Sequence, residues 1–163
     1  MRIHNITHPD VNNGLGCRVT IWVSGCIHHC KGCHNSETWD FNGGREFTDD
    51  DKELIFTLLE KPYIKGVTFS GGDPLCSYKD VLSLSKELKE KYPNKDIWIY
   101  TGFEMEYIVK HMKEILEYVD YIVDGKYEET LRDITLAFRG SKNQRIWKKN
   151  ENDDFEIITL EKR

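Results

Sequence analysis

No apolar run in this 163-residue sequence approaches the roughly 20 residues that a membrane-spanning helix needs. The N-terminal stretch MRIHNITHPD has no apolar h-region of a secretory signal, so a cytoplasmic location is expected. A basic face is missing as well. The formal charge of -5 is spread through short clusters of mixed sign, unlike the stripe that a phosphate backbone selects, and neither nucleic acid nor a membrane is expected as a partner. Repeats, low-complexity tracts and dividing linkers are absent, which predicts a single domain over residues 1–163. What is present, 39% apolar and 12% aromatic residues, is enough for a core. Cysteine is scarce and odd in number: there are five, three of them in SGCIHHCKGCHN, Ser24 to Asn35. In a reducing compartment that pattern reads as metal or redox chemistry rather than a disulfide framework.

Along the chain, strand and helix signals alternate. CRVTIWV (Cys17 to Val23) alternates apolar and polar residues, as a strand does, and runs straight into the cysteine loop. Thr48 with Asp51 predicts a capping box opening a helix that ends near Pro62. GVTFS (Gly66 to Ser70) predicts a strand that empties into GGDP. Ser77 with Asp80 predicts a second capped helix, carrying Val81, Leu84 and Leu88 on one face and stopping before Pro93. DIWIY (Asp96 to Tyr100), a helix with apolar residues from Met105 to Leu116, and a strand YIVDG (Tyr121 to Gly125) follow. The tail QRIWKKNENDDFEIITLEKR fits either a hairpin around NENDD or one last strand. Such β-loop-α repetition predicts an α/β fold of parallel strands with right-handed crossovers, its functional turns gathered at the strands' carboxyl ends. The chain is too short for a closed eightfold barrel, which takes about 250 residues, so a partial, open-sided parallel (β/α) barrel is expected.

Three chemistries compete for Cys26, Cys30 and Cys33, spaced C-x3-C-x2-C. A structural zinc would need a fourth ligand from His28, His29 or His34, but zinc ribbons pair two C-x2-C knuckles and no second knuckle is present. CKGC alone could be a redox dithiol, although that motif opens a helix and the residues after Gly32 read as loop. A 4Fe-4S cluster held by three thiolates would keep one iron open to an outside ligand. SGGDP (Ser70 to Pro74) supplies a ligand-binding turn one unit later. Its glycines let the backbone approach a small polar molecule, and Asp73 offers a carboxylate to an amino group.

With these segments in place, the chain resembles the radical S-adenosylmethionine (radical SAM) enzymes, and among them the activating proteins of glycyl radical enzymes. GCRVTIWVSGCIHHCKGCHNSETWD, SGGDPL, KDIWIYTG, YIVDGKY and FRGSKNQR together resemble the activating proteins of anaerobic (class III) ribonucleoside-triphosphate reductases. Pyruvate formate-lyase activases are similar through CHNSETWD but are longer. The resemblance implies a barrel of the radical SAM type, with Cys26, Cys30 and Cys33 ligating a 4Fe-4S cluster. S-adenosyl-L-methionine would chelate the open iron, with Gly32, Cys33 and His34 along the cofactor and Gly72 and Asp73 at its methionine end. Reductive cleavage would leave a 5'-deoxyadenosyl radical that converts a glycine of the reductase catalytic subunit into a glycyl radical, and the partners implied are that subunit and an electron donor such as flavodoxin. No acid-base dyad is required. Glycine at position 32, where many radical SAM enzymes carry an aromatic residue, matches the reductase activases. A closed electron carrier, or a zinc protein that only docks, would call for four protein ligands.

Other residues receive plainer readings. Cys17 and Cys76 are expected as small buried residues and the methionines with Trp39 and Trp98 as core, while His4, His8 and His111 are expected to be solvated or locally satisfied. His28 and His29 either tune the cluster or are ordinary loop positions. Asp124 and Lys126, flanking Gly125 at a strand's carboxyl end, are expected to face the site and meet cofactor or partner.

Overall fold

The computed structural model describes residues 1–161. Eight strands form one sheet: β1 (Arg2–Asp10), β2 (Cys17–Val23), β3 (Arg45–Glu46), β4 (Ile64–Gly71), β5 (Asp96–Tyr100), β6 (Tyr121–Asp124), β7 (Arg145–Lys149) and β8 (Phe155–Ile158). Three α-helices, α1 (Asp49–Leu59), α2 (Tyr78–Lys91) and α3 (Met105–His111), connect the central strands. The spatial order is β3-β1-β2-β4-β5-β6-β7-β8, with β3 and β8 at the edges. Only the middle of this sheet has the expected parallel arrangement, from β2 through β4 and β5 to β6. β1, β3, β7 and β8 all pair antiparallel, so the fold is a mixed α/β sheet. The tail takes the hairpin alternative, β7–β8, with the last two residues of the quoted segment outside the described residues. Among the described residues no helix is long and apolar enough to cross a membrane.

Alternation along the central strands sorts side chains into two layers. Val19, Ile21, Val23, Val67, Phe69, Ile97, Ile99 and Ile122 face the helices and form the main core with Ile55, Leu59, Val81 and Ile108. Their neighbours point to the opposite face, where Trp98, Tyr121, Val123 and Ile146 make a smaller cluster. Arg18, fully buried, crosses that second face to Asp96 (2.5 Å) and Thr68 Oγ1 (2.7 Å). A charge so placed is tolerable because it is paired and hydrogen-bonded.

The caps follow the sequence in one helix and depart from it in another. Thr48 and Asp51 make the expected reciprocal capping box of α1. Ser77 makes no side-chain cap for α2; instead Asp73 accepts from Leu75 N–H (2.9 Å) and caps a 3₁₀ turn, Pro74–Ser77, that runs into α2. Pro74 fits there because a first-turn N–H would be unpaired anyway. The single helix expected from Met105 to Leu116 is two pieces, α3 and a 3₁₀ turn over Lys113–Glu117, which bury Ile108 and Ile115 respectively.

Candidate metal and cofactor site

The turns after β2, β4, β5 and β6 meet at the carboxyl ends of the parallel strands, and a cavity opens between them. It is lined by Cys26, Cys30, Cys33, His34 and Trp39 from the cysteine loop, Ser70 to Asp73 after β4, Tyr100 to Gly102 after β5, and Gly125 to Tyr127 after β6. The alternation above explains the walls: Ser70, Tyr100 and Val123 are the last residues of their strands that point away from the helices. A larger groove of about 1260 Å³ between α3 and β7–β8 contains no cysteine and no glycine turn. The three clustered cysteines and the glycine turn therefore mark the smaller cavity as the candidate site.

Main-chain bonds fasten the cysteine loop to the sheet. Gly72 N–H donates to Val23 O (2.9 Å), Asp73 N–H to Gly25 O (2.8 Å), Gly25 N–H to Thr38 O (2.7 Å) and Cys26 N–H to Trp39 O (3.1 Å). The loop is thus closed at its base by Thr38 and Trp39. His29 stacks on Trp39 with ring centroids 4.6 Å apart, so Trp39 is a half-buried wall of the site rather than core. Trp98 is fully buried.

Sequence leaves His28 between a tuning role and an ordinary loop position; the structure gives it a definite place. Its side chain is 5% exposed, its Nε2 lies 2.6 Å from Asp73 Oδ2, and its ring meets Phe103 edge-on. Since a carboxylate only accepts, Nε2 carries the proton. Asp73 also accepts from Leu75 N–H, Thr101 Oγ1 and Gly102 N–H, all at 2.9 Å. Four donors take up the roughly four lone-pair positions of a carboxylate, so Asp73 clamps three turns together at the wall of the cavity. Cys76 Sγ belongs to the same corner, the donor atoms of His28, Asp73 and Cys76 lying within 4.8 Å of one another. Burial pushes the Cys76 thiol up to about 12, with the Asp73 charge acting in the same direction.

Burial also raises Cys26 and Cys30 above the ordinary thiol value. The main chain at His28 and His29 acts in the opposite direction on Cys26, and the main chain at Tyr127 with the Lys126 charge does so on Cys30. All five cysteines are free. Cys17 lies at the opposite end of β2, so three thiols converge here and Cys76 does not line the cavity. This donor set fits a cluster with three protein ligands.

Of the residues singled out from sequence, Cys26, Cys30, Cys33, His34, Gly72, Asp73 and Lys126 line the cavity. Gly32 does not; it takes a left-handed φ of +77°, and a Cβ there would meet the Glu129 carboxylate at 3.0 Å. Asp124 is a correction. It is fully buried on the helix side, accepting from Met105 N–H (2.7 Å) and from Arg145 Nη2 (2.5 Å) and Nε (3.1 Å). Val123 faces the cavity, so the next residue must face the other way. Thr101, Gly102, Tyr127 and Gln144 also line or brace the site, and none was singled out. For Thr101 and Gly102 a signal existed, since TG ends a parallel strand just as GGDP does.

The family described as 4Fe-4S single cluster domain matches residues 12–147. The chain is also similar to curated proteins named anaerobic ribonucleoside-triphosphate reductase-activating protein. That of Enterobacteria phage T4 is 43% identical over 149 residues, covering 90% of this chain and 94% of the relative. That of Haemophilus influenzae is 41% identical over 141 residues, covering 84% and 91%. That of Escherichia coli K12 is 38% identical over 148 residues, covering 88% and 96%.

Proposed function

Because the chain belongs to the 4Fe-4S single cluster domain family and to the anaerobic ribonucleoside-triphosphate reductase-activating proteins, we propose that it activates the catalytic subunit of such a reductase as a radical S-adenosylmethionine enzyme. The observation that carries this reading is the convergence of Cys26, Cys30 and Cys33 on one cavity, opposite glycine turns and without a fourth cysteine in its lining. These three residues would hold a 4Fe-4S cluster and leave one coordination position for the amino and carboxylate groups of S-adenosyl-L-methionine. When bound and reduced, that pair supplies a 5'-deoxyadenosyl radical able to take a hydrogen atom from a glycine Cα of the partner polypeptide.

The chain's own residues bind and orient. Gly72 presents main chain to the methionine end, with Asp73 behind it holding the turn rigid through His28, Thr101 and Gly102. Cys33 and His34 flank the cofactor, and exposed Lys126 meets its carboxylate or the partner at the mouth. Trp39, Tyr100, Val123 and Phe138 give the cavity apolar walls that keep water from a reactive intermediate. Gly32 and Asp124 act indirectly, one by shaping the cysteine loop and the other by tying β6 to α3. In this reading residues 1–163 are one cytoplasmic radical SAM domain, its sheet a partial open-sided barrel wide enough for a polypeptide loop, and its electrons come from a carrier such as flavodoxin.

The test is anaerobic reduction with S-adenosyl-L-methionine and the cognate reductase. Methionine, 5'-deoxyadenosine and a glycyl-radical doublet in the electron paramagnetic resonance (EPR) spectrum of the reductase are expected. A doublet on pyruvate formate-lyase and not on the reductase would change the partner. No cleavage with an intact reduced cluster would refute the enzyme.

A further inference from the structure

A second hollow, of about 400 Å³, opens beside the cofactor cavity. That volume is at the low end of the roughly 300–1,000 Å³ of ligand pockets and suits one long side chain. One part of its lining is apolar: Ile27 of the cysteine loop is 61% exposed, Tyr107 of α3 is 43% exposed, and Phe103 stacks on Tyr107 with ring centroids 4.9 Å apart. The other part is rich in acceptors. Glu104 and Glu128 are exposed, and among the described residues no hydrogen bond or ion pair engages either carboxylate. Asn143 uses its Nδ2 on Lys126 O (2.7 Å) and leaves a buried Oδ1 without a partner. Lys126 is the one ammonium in the lining. The partition between hollow and cavity is a single ring: His28 lines both, and it covers Gly102 so closely that a Cβ there would meet the ring at 2.5 Å. A polypeptide with one side chain in the hollow therefore lays its neighbouring residues over the cavity.

We propose that this hollow is a recognition pocket for a cationic side chain, arginine or lysine, on the reductase segment whose glycine enters the cofactor cavity. The aliphatic stem of such a side chain lies on apolar surface while its head stays among polar groups, which matches Ile27, Phe103 and Tyr107 on one side and the acceptors on the other. The head meets the Glu104 and Glu128 carboxylates in charge-assisted hydrogen bonds, the strong kind, and the Asn143 amide oxygen gains a donor. Two carboxylates against one ammonium leave the pocket negative at neutral pH, so it attracts a cation and opposes an acidic residue. A purely apolar side chain would leave the acceptors unpaired. The inference rests on the proposed function and deepens it, because it names the chemistry by which the partner's segment is selected and placed.

The test is the affinity of the anaerobically reconstituted full chain for the cognate reductase catalytic subunit, read by isothermal titration. Glu104→Gln combined with Glu128→Gln keeps the shape and removes both charges. It should weaken binding at least about tenfold, about 1.4 kcal/mol, and glycyl-radical formation should slow at low reductase concentration and recover at saturation. Glu90→Gln, the same exchange on the exposed surface of α2, should bind as the parent does. Parental affinity in the double variant overturns the proposal, and so does equal weakening by Glu90→Gln, since the effect would then be one of overall charge. Parental affinity for the reductase with slower reduction by flavodoxin would give the hollow to the electron donor and overturns it as well. If the double variant does not fold, Glu104→Gln alone carries the test, with the same expected direction and the same refuting result. A parent chain that takes up no cluster or binds no reductase would instead sink the proposed function, whereas a loaded, reductase-binding parent with an insensitive double variant sinks only this inference.

Discussion

Replacing Gly72 by alanine is expected to detach the cysteine loop from the sheet. Gly72 lines the cavity, but a Cβ on it would project away from the ligand space, to 2.4 Å from Gly25 O, 2.8 Å from Gly25 C and 2.8 Å from Thr38 O. All three are main-chain atoms, so no flexible side chain can yield. They also belong to the bonds that close the loop, Asp73 N–H to Gly25 O at 2.8 Å and Gly25 N–H to Thr38 O at 2.7 Å. Losing one or two such bonds costs about 0.5–1.5 kcal/mol each, and overpacking adds about 1–3 kcal/mol. The total is roughly 1.5–6 kcal/mol. For a chain of this size 1 kcal/mol moves Tm by about 2–4 °C, so calorimetry of Gly72→Ala should show a fall of roughly 3–24 °C, with reduced iron uptake on reconstitution. Parental Tm together with full iron content would refute the claim that the turn and the loop are locked through Gly25.

Three further outcomes follow from the same geometry. Cys26→Ala, Cys30→Ala and Cys33→Ala should each lose the visible absorption of a reconstituted 4Fe-4S cluster, while Cys17→Ala and Cys76→Ala keep it; loss in Cys76→Ala with retention in Cys33→Ala would reassign the ligands. His28→Ala removes one donor from the buried Asp73 carboxylate and should destabilise the chain by about 1.5–3 kcal/mol in urea melts, and an unchanged midpoint would mean that the clamp contributes nothing. The Arg45 guanidinium, bonded to both oxygens of Asp51, holds that carboxyl down from 3.8 to about 2. A depressed carboxylate contributes stability that is present above its unfolded value and lost as pH falls through the folded one. Melts of iron-free Asp51→Asn and parent should therefore differ above about pH 4 and converge towards pH 2; a constant difference across that window would remove the pair from the acid response.

The parts legible in the sequence are those fixed by local pattern. Thr48 and Asp51 are three residues apart, and a capping box needs nothing else; CRVTIWV alternates apolar and polar residues along a strand, whereas DIWIY is a nearly continuous apolar run, as a central strand covered on both faces is. β1 escaped because its register with β2 shifts between Ile3 and Asn5 and again between Thr7 and Asp10, which breaks the period of two on which strand recognition depends. Asp124 was misplaced by a rule applied too coarsely: the end of a parallel strand does face the site, but only on alternate residues, and Tyr121 and Val123 had already claimed that side. The bonds that give the cavity its shape are of a third kind. His28 to Asp73 spans 45 positions and Gln144 to Gly125 spans 19, and no spacing within either segment predicts the pairing. Sequence could therefore name the groups that would touch a cluster, while the groups that hold those in place became visible only when β4, β5 and β6 brought their turns together. That division has a physical basis, since ligand atoms need a particular chemistry and leave a motif, whereas a brace needs only a donor and an acceptor at the right distance.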